Sequence, residues 1–72
     1  MKFSELAELT DRVSEKLGVS VMFQNEYWHY SHGGTAKKYS CFTLLESGCT
    51  HEEFNTPAEL KAHMEGILQE TP

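Results

Sequence analysis

His29-x-x-His32 is the first place in this chain where residue types and spacing invite chemistry. Two imidazoles at a three-residue step converge on one metal ion when the backbone is helical. Here the step starts in Tyr27-Trp28-His29-Tyr30-Ser31, a run whose aromatic residues favour a pleated strand. A three-residue step on a strand sends its side chains to opposite faces. The pair is read as a surface His29 and a turn-flanking His32, and no metal is expected. Cys41, Cys49 and His51 form a second candidate set, without the Cys-x-x-Cys knuckle of a zinc site. Cys41 precedes the end of its strand by about five residues, or roughly 15 Å. A chain that reverses at Ser47-Gly48 returns Cys49 only near Glu46. That distance also disfavours a Cys41–Cys49 disulfide, whose Cα atoms must approach within about 7 Å. Cys41 is expected in the core as a small apolar residue. Cys49 is expected as an exposed thiol without the fixed base that a nucleophile needs.

Gly33-Gly34-Thr35-Ala36-Lys37-Lys38 has phosphate-binding residue types, but a strand follows it where a P-loop would open a helix. It is read as a glycine turn with solvent-facing lysines. General acid–base chemistry finds little material. Asp11 is the sole aspartate and falls on an exposed helix face. Glu52 and Glu53 are adjacent and diverge in any helical turn, and His63 follows Glu59 at the spacing of a surface contact. No catalytic residue, cofactor or enzymatic activity is expected.

What remains is an aromatic and basic stretch. Tyr27, Trp28, Tyr30 and Tyr39 stand beside His29, His32, Lys37 and Lys38. These residue types suit a base-stacking sheet or a protein-binding face.

The elements that must position them follow from periodicity. Leu6, Leu9, Val13 and Leu17 form one stripe and predict a helix over 4–17, with Ser4 as N-cap and Gly18 as terminator. Val19, Val21 and Phe23 then alternate with polar residues and Met22, which predicts a strand. A two-residue turn at Asn25-Glu26 would pair Phe23 with Trp28 and Val21 with Tyr30. It would bring the large side chains of both strands to one core face. On that reading Trp28 and Tyr30 point inward, and Tyr27, His29 and Met22 lie on the far face. The rival is one long strand from Val19 to Ser31. Residues 38–46 predict a third strand with apolar groups on both faces, as a central strand has. Residues 46–55 are read as a connection, in which Thr50 and Glu53 have the spacing of a capping box. Thr56-Pro57-Ala58-Glu59 opens a final helix with Leu60, Met64, Ile67 and Leu68 on its buried stripe. The expected fold is α+β, αβββα, a small antiparallel three-stranded sheet with two helices packed on one face, in a single domain over 1–72.

Bulk properties limit the function classes. The chain has 72 residues and a net charge of −5. A chain this short has room for one small core. Residues 27–45 carry Lys37 and Lys38 and no acid, whereas both flanks are acidic. Non-specific phosphate binding requires clustered basic residues, so nucleic-acid affinity through this stretch would be weak. No apolar run reaches the ~20 residues of a membrane span, and the start lacks a signal-like apolar stretch. A cytoplasmic protein with free thiols is expected.

The runs Glu26-Tyr27-Trp28-His29-Tyr30-Ser31, Cys41-Phe42-Thr43-Leu44-Leu45-Glu46 and Phe54 to Leu68 resemble small proteins of unknown function encoded by bacterial phages and prophages. Those proteins pair a short sheet with a last helix introduced by Phe-x-Thr-x-x-Glu-Leu, here Phe54, Thr56, Glu59 and Leu60. The resemblance covers about the last two-thirds of the chain and supplies no catalytic residues. The helix-strand-strand-strand-helix order also resembles the double-stranded-RNA-binding domain. The basic cluster that opens the last helix of that family has no counterpart here, so RNA binding is not carried over.

The functional expectation is a small non-enzymatic interaction or regulatory protein that binds a protein partner through its exposed sheet face, or a second copy of itself there. Tyr27, His29, Lys37, Lys38 and Met22 are the candidate contact residues. The alternatives are weak nucleic-acid binding by the aromatic hairpin, and an acidic inhibitor that mimics nucleic-acid charge through Glu5, Glu8, Glu15, Glu52, Glu53 and Glu59.

Overall fold

A computed structural model describes residues 2–70 of the chain, so Met1, Thr71 and Pro72 of the expected single domain lie outside the described residues. The elements are α1 (Phe3–Leu17), β1 (Ser20–His29), β2 (Thr35–Leu45), β3 (Gly48–Phe54) and α2 (Pro57–Gln69). The strands form one antiparallel sheet in the order β1-β2-β3. The fold is α+β with the expected αβββα order.

α1 buries Leu6, Leu9, Thr10 and Val13, while Leu17 at the end of the stripe is exposed. It starts at Phe3 with Lys2 as an extended N-cap residue that makes no side-chain cap, so Ser4 lies inside the helix and is not its cap. The Phe3 ring packs 5.1 Å from that of Phe23, and this contact favours a first turn one residue earlier. Gly18 ends the helix as expected. Its φ of 69° is left-handed, and its N–H donates to Ser14 O at 2.8 Å. The Ser14 hydroxyl donates to Val19 O at 2.6 Å and fixes the exit into β1. α2 begins as its sequence predicts: the Glu59 N–H donates to Thr56 Oγ1 at 3.2 Å and Pro57 occupies the first turn.

The core lies between the helices and one face of the sheet. Leu6, Leu9, Val13, Cys41, Leu60 and Met64 are buried, and Val21, Phe23, Tyr39, Phe54, Ile67 and Leu68 pack around them. α1 sits on β1, and α2 on β2 and β3. Thr10 satisfies its hydroxyl by donating to Leu6 O at 2.7 Å, and its Oγ1 lies 3.5 Å from Met64 Sδ. Lys16 joins the helices at their far end. Its Nζ donates to Ile67 O at 2.7 Å, to Leu68 O at 3.1 Å and to Glu70 O.

β2 opens at Thr35, three residues earlier than expected, so Thr35-Ala36-Lys37-Lys38 belongs to the strand and not to the glycine turn. The strands differ from the sequence reading in two further ways. First, no turn forms at Asn25-Glu26. β1 runs on through both residues, with Asn25 opposite Tyr39 and Glu26 opposite Lys38. A two-residue hairpin turn needs positive φ, which glycine and asparagine accept and glutamate resists. The reversal comes instead at Ser31-His32-Gly33. There Tyr30 N–H donates to Gly34 O, Gly33 N–H donates to Tyr30 O, and Gly33 adopts φ 99°. Secondly, residues 48–54 are not a connection with a capped helical turn but the strand β3. β3 pairs with the second edge of β2 and satisfies its backbone, so β2 is the central strand that its two apolar faces predict.

Candidate interaction face of the sheet

Residues paired across an antiparallel sheet share a face, so the register assigns every side chain. One face is set by Cys41 and Tyr39, which reach the core. It carries Val21, Phe23, Asn25, Tyr27 and His29 from β1, with Thr43, Cys41, Tyr39, Lys37 and Thr35 opposite them. The other face carries Ser20, Met22, Gln24, Glu26 and Trp28 from β1, and Leu44, Phe42, Ser40, Lys38 and Ala36 from β2. β3 adds Cys49, His51 and Glu53 to it. Both helices lie on the first face, and the second is open.

The five expected contact residues therefore divide. Met22 and Lys38 lie on the open face. Tyr27, His29 and Lys37 lie on the helix side, on the part of the hairpin that projects past the helices, and Tyr27 is 66% exposed. Trp28 and Tyr30 do not point into the core as expected. They extend the open face and remain 48% and 36% exposed. The cause is parity: without a turn at Asn25-Glu26, the alternation that sends Phe23 inward sends Trp28 outward. The projection follows from length. β2 has 11 residues, or roughly 36 Å of strand, whereas the 15 residues of α1 span roughly 22 Å of helix.

The open face holds two apolar ends and a polar middle. At one end Met22, Phe42, Leu44 and Cys49 cluster, and the His51 ring stacks on Phe42 at 4.3 Å. At the hairpin end Trp28 stacks with Tyr30 at 6.3 Å and Tyr30 with His32 at 5.4 Å. His32 thus lies over the open face while His29 occupies the other, as a shared metal site would not allow. Among the described residues no group of three or more His, Cys, Asp or Glu is placed to hold a metal ion.

In the middle, the Glu26 carboxylate accepts from Gln24 Nε2 at 3.0 Å and from Trp28 Nε1 at 3.2 Å, bracing one edge of the face. His51 Nε2 lies 3.7 Å from Glu53 Oε1, an ion pair when the imidazole is protonated. Lys38 stands opposite Glu26 and diagonal to Glu53, and no ion pair of Lys38 forms among the described residues. Between them Ser40 is buried, and its Oγ has no hydrogen-bond partner among the described residues.

Both cysteines are free thiols. Cys41 and Cys49 occupy opposite faces, which separates them more firmly than their distance along the strand. Burial pushes the Cys41 thiol above its ordinary value of 9.0, and the negative charge of Glu52 opposite it adds to the rise. Cys41 is therefore a core residue without nucleophilic character at neutral pH. His63 packs against the Phe54 ring at 5.2 Å, at the border of the core. A shallow groove of about 360 Å³ on the outer side of the helices is lined by Glu5, Glu8, Leu9, Arg12 and Lys61. Its acids and bases are mixed, and no nucleophile converges there.

Comparison with protein-family models, curated proteins and solved structures finds no match to this chain. Its own geometry carries the functional reading. Trp28, Tyr30, Phe42 and Leu44 were absent from the expected surface. Counting alternation straight through Asn25-Glu26 to the glycine turn at Gly33 is the sequence signal that finds them.

Proposed function

We propose that this chain is a small non-enzymatic interaction protein whose open sheet face binds a protein partner. One observation carries the reading. A three-stranded sheet covered by helices on one side leaves Met22, Trp28, Tyr30, Phe42 and Leu44 in contact with water on the other. Exposed apolar clusters at both ends of one face mark an interaction site, and tryptophan, tyrosine and methionine are favoured at such sites. Tyr27, His29 and Lys37 lie on the helix side of the sheet and form no part of this surface. Among the described residues no helix is long and apolar enough to cross a membrane. A cytoplasmic location and a phage or prophage origin belong to the same proposal and rest on the sequence.

The test is affinity capture from the native host with partners identified by mass. Trp28→Ala and Leu44→Ala should lose the captured protein, and Glu8→Ala on the outer surface of α1 should keep it. Equal capture by all three proteins would remove the reading.

The Trp28–Tyr30–His32 stack favours a second reading, single-stranded nucleic acid held by base stacking. Lys38 is the one lysine on that face and stands beside Glu26 and Glu53, so phosphate attraction is small. Titration of single-stranded DNA at low salt, read by Trp28 fluorescence, decides it. A salt-sensitive change supports nucleic acid, and no change removes it.

A further inference from the structure

We propose that the partner on the open face is a second copy of this chain, packed face to face about a two-fold axis that crosses the strands at the level of Asn25 and Tyr39. The inference rests on the reading of that face as a protein-binding surface and names its occupant. Three features support it.

The first is self-complementarity. An axis across the strands lays β1 over β1 and β2 over β2 in opposite directions. Trp28 of one copy then meets Met22 of the other, Tyr30 meets Ser20, Phe42 meets Ala36, and Leu44 meets Gly34. Most of these pairs set a large side chain on a small one, as interdigitated sheets packed about 10 Å apart require. An axis along the strands would instead stack Phe42 on Phe42 and Lys38 on Lys38.

The second feature is the polar middle. The crossed axis places Lys38 of one copy over Ser40 of the other and one strand away from its Glu53. Lys38 lacks an ion pair and Ser40 Oγ lacks a hydrogen-bond partner among the described residues. The packing supplies an acid to that lysine, twice over by symmetry, while Ser40 Oγ is already enclosed within its own chain and lies beneath the contact.

The third feature is area. β3 pairs only with Tyr39–Leu45, on one side of the axis, so β1 and β2, of 10 and 11 residues, make the overlap, roughly 330 Å² in projection on each copy. Side chains raise the accessible area above the projection, so two copies bury about 700–900 Å² in total, below the roughly 1,000 Å² of a stable specific interface and in the range of a transient one. The pairing is therefore weak and reversible.

Sedimentation velocity over a concentration series tests this on the full chain, with circular dichroism confirming that each variant is folded. The wild type should form dimers. Trp28→Glu and Leu44→Glu, at half-exposed positions on opposite ends of the face, should each weaken dimerisation more than tenfold. Tyr27→Glu, on the helix side, should leave it unchanged. Lys38→Glu should weaken it, and the exchange Lys38→Glu with Glu53→Lys should restore it to within a few-fold. A wild type that stays monomeric to millimolar concentration overturns the proposal, as does equal weakening by Tyr27→Glu, or an exchange that does not restore. A monomer that still captures a host protein, with capture lost in Trp28→Glu, overturns self-association and leaves the face as a binding surface. A monomer that captures nothing removes both.

Discussion

Replacing Lys16 by methionine keeps the length and apolar stem of the side chain and removes its ammonium. That ammonium donates to Ile67 O, Leu68 O and Glu70 O, at the C-terminal end of a helix whose last turn has no basic residue of its own. A cation at an exposed helix C-terminus contributes about 0.3–1 kcal/mol. Several carbonyls are engaged, but all are exposed and regain water when the lysine leaves, so the loss should be about 1 kcal/mol. Unfolding entropy of about 2.1 cal/mol/K per residue gives roughly 0.15 kcal/mol/K for 72 residues. The melting temperature should therefore fall by about 6–7 °C. Thermal denaturation followed by circular dichroism measures it. Arg12→Met is the control, because it removes the same charge from α1 without these bonds. The difference should shrink in 1 M salt, where the Debye length is about 3 Å. Equal melting temperatures for Lys16→Met and the wild type, or an equal fall in Arg12→Met, would refute the bridge between the helices.

Other outcomes follow from burial and backbone geometry. Leu60→Ala, in the core, should cost about 2–5 kcal/mol. A domain of this size has roughly 4–11 kcal/mol in all, so urea unfolding should place this variant near the edge of stability. Gly33→Ala should lose about 1–2 kcal/mol in the same assay, because φ 99° is unfavourable for any residue with a Cβ. A thiol reagent should label Cys49 in the native protein and reach Cys41 only on unfolding, which mass spectrometry reads directly. The Cys41 shift also fixes a sign. Below pH 9.0 the thiol is protonated in both states and adds nothing to the pH dependence. Above it the unfolded chain releases a proton that the folded chain keeps. Stability should fall as pH rises past 9, and Cys41→Ala should remove that part of the fall.

The helices were legible because their signals are local. Gly18 needs a left-handed φ, and Thr56-Pro57-Ala58-Glu59 satisfies the first amides of α2, whatever the rest of the chain does. The sheet was less legible because its signals are not local. An asparagine beside a glutamate resembles a turn until the partner strand is known, and a single misplaced turn inverts the parity of the residues that follow it up to the next reversal. Trp28 and Tyr30 moved from core to open face for that reason alone. β3 was hidden differently. Cys49-Thr50-His51-Glu52-Glu53 carries the polar composition of a loop. On an edge strand that composition is allowed, and charge there guards an exposed edge against unwanted pairing. The residues of the expected surface thus share one hairpin but divide between its two faces.

Self-association through the open face is measured most directly by a dilution series followed by two-dimensional amide and indole NMR. Met22, Trp28, Tyr30, Lys38, Phe42 and Leu44 should shift together with one dissociation constant. Tyr27 and the outer residues Glu5 and Glu8 of α1 should stay still. Shifts confined to the helices, or none between micromolar and millimolar concentration, would contradict it.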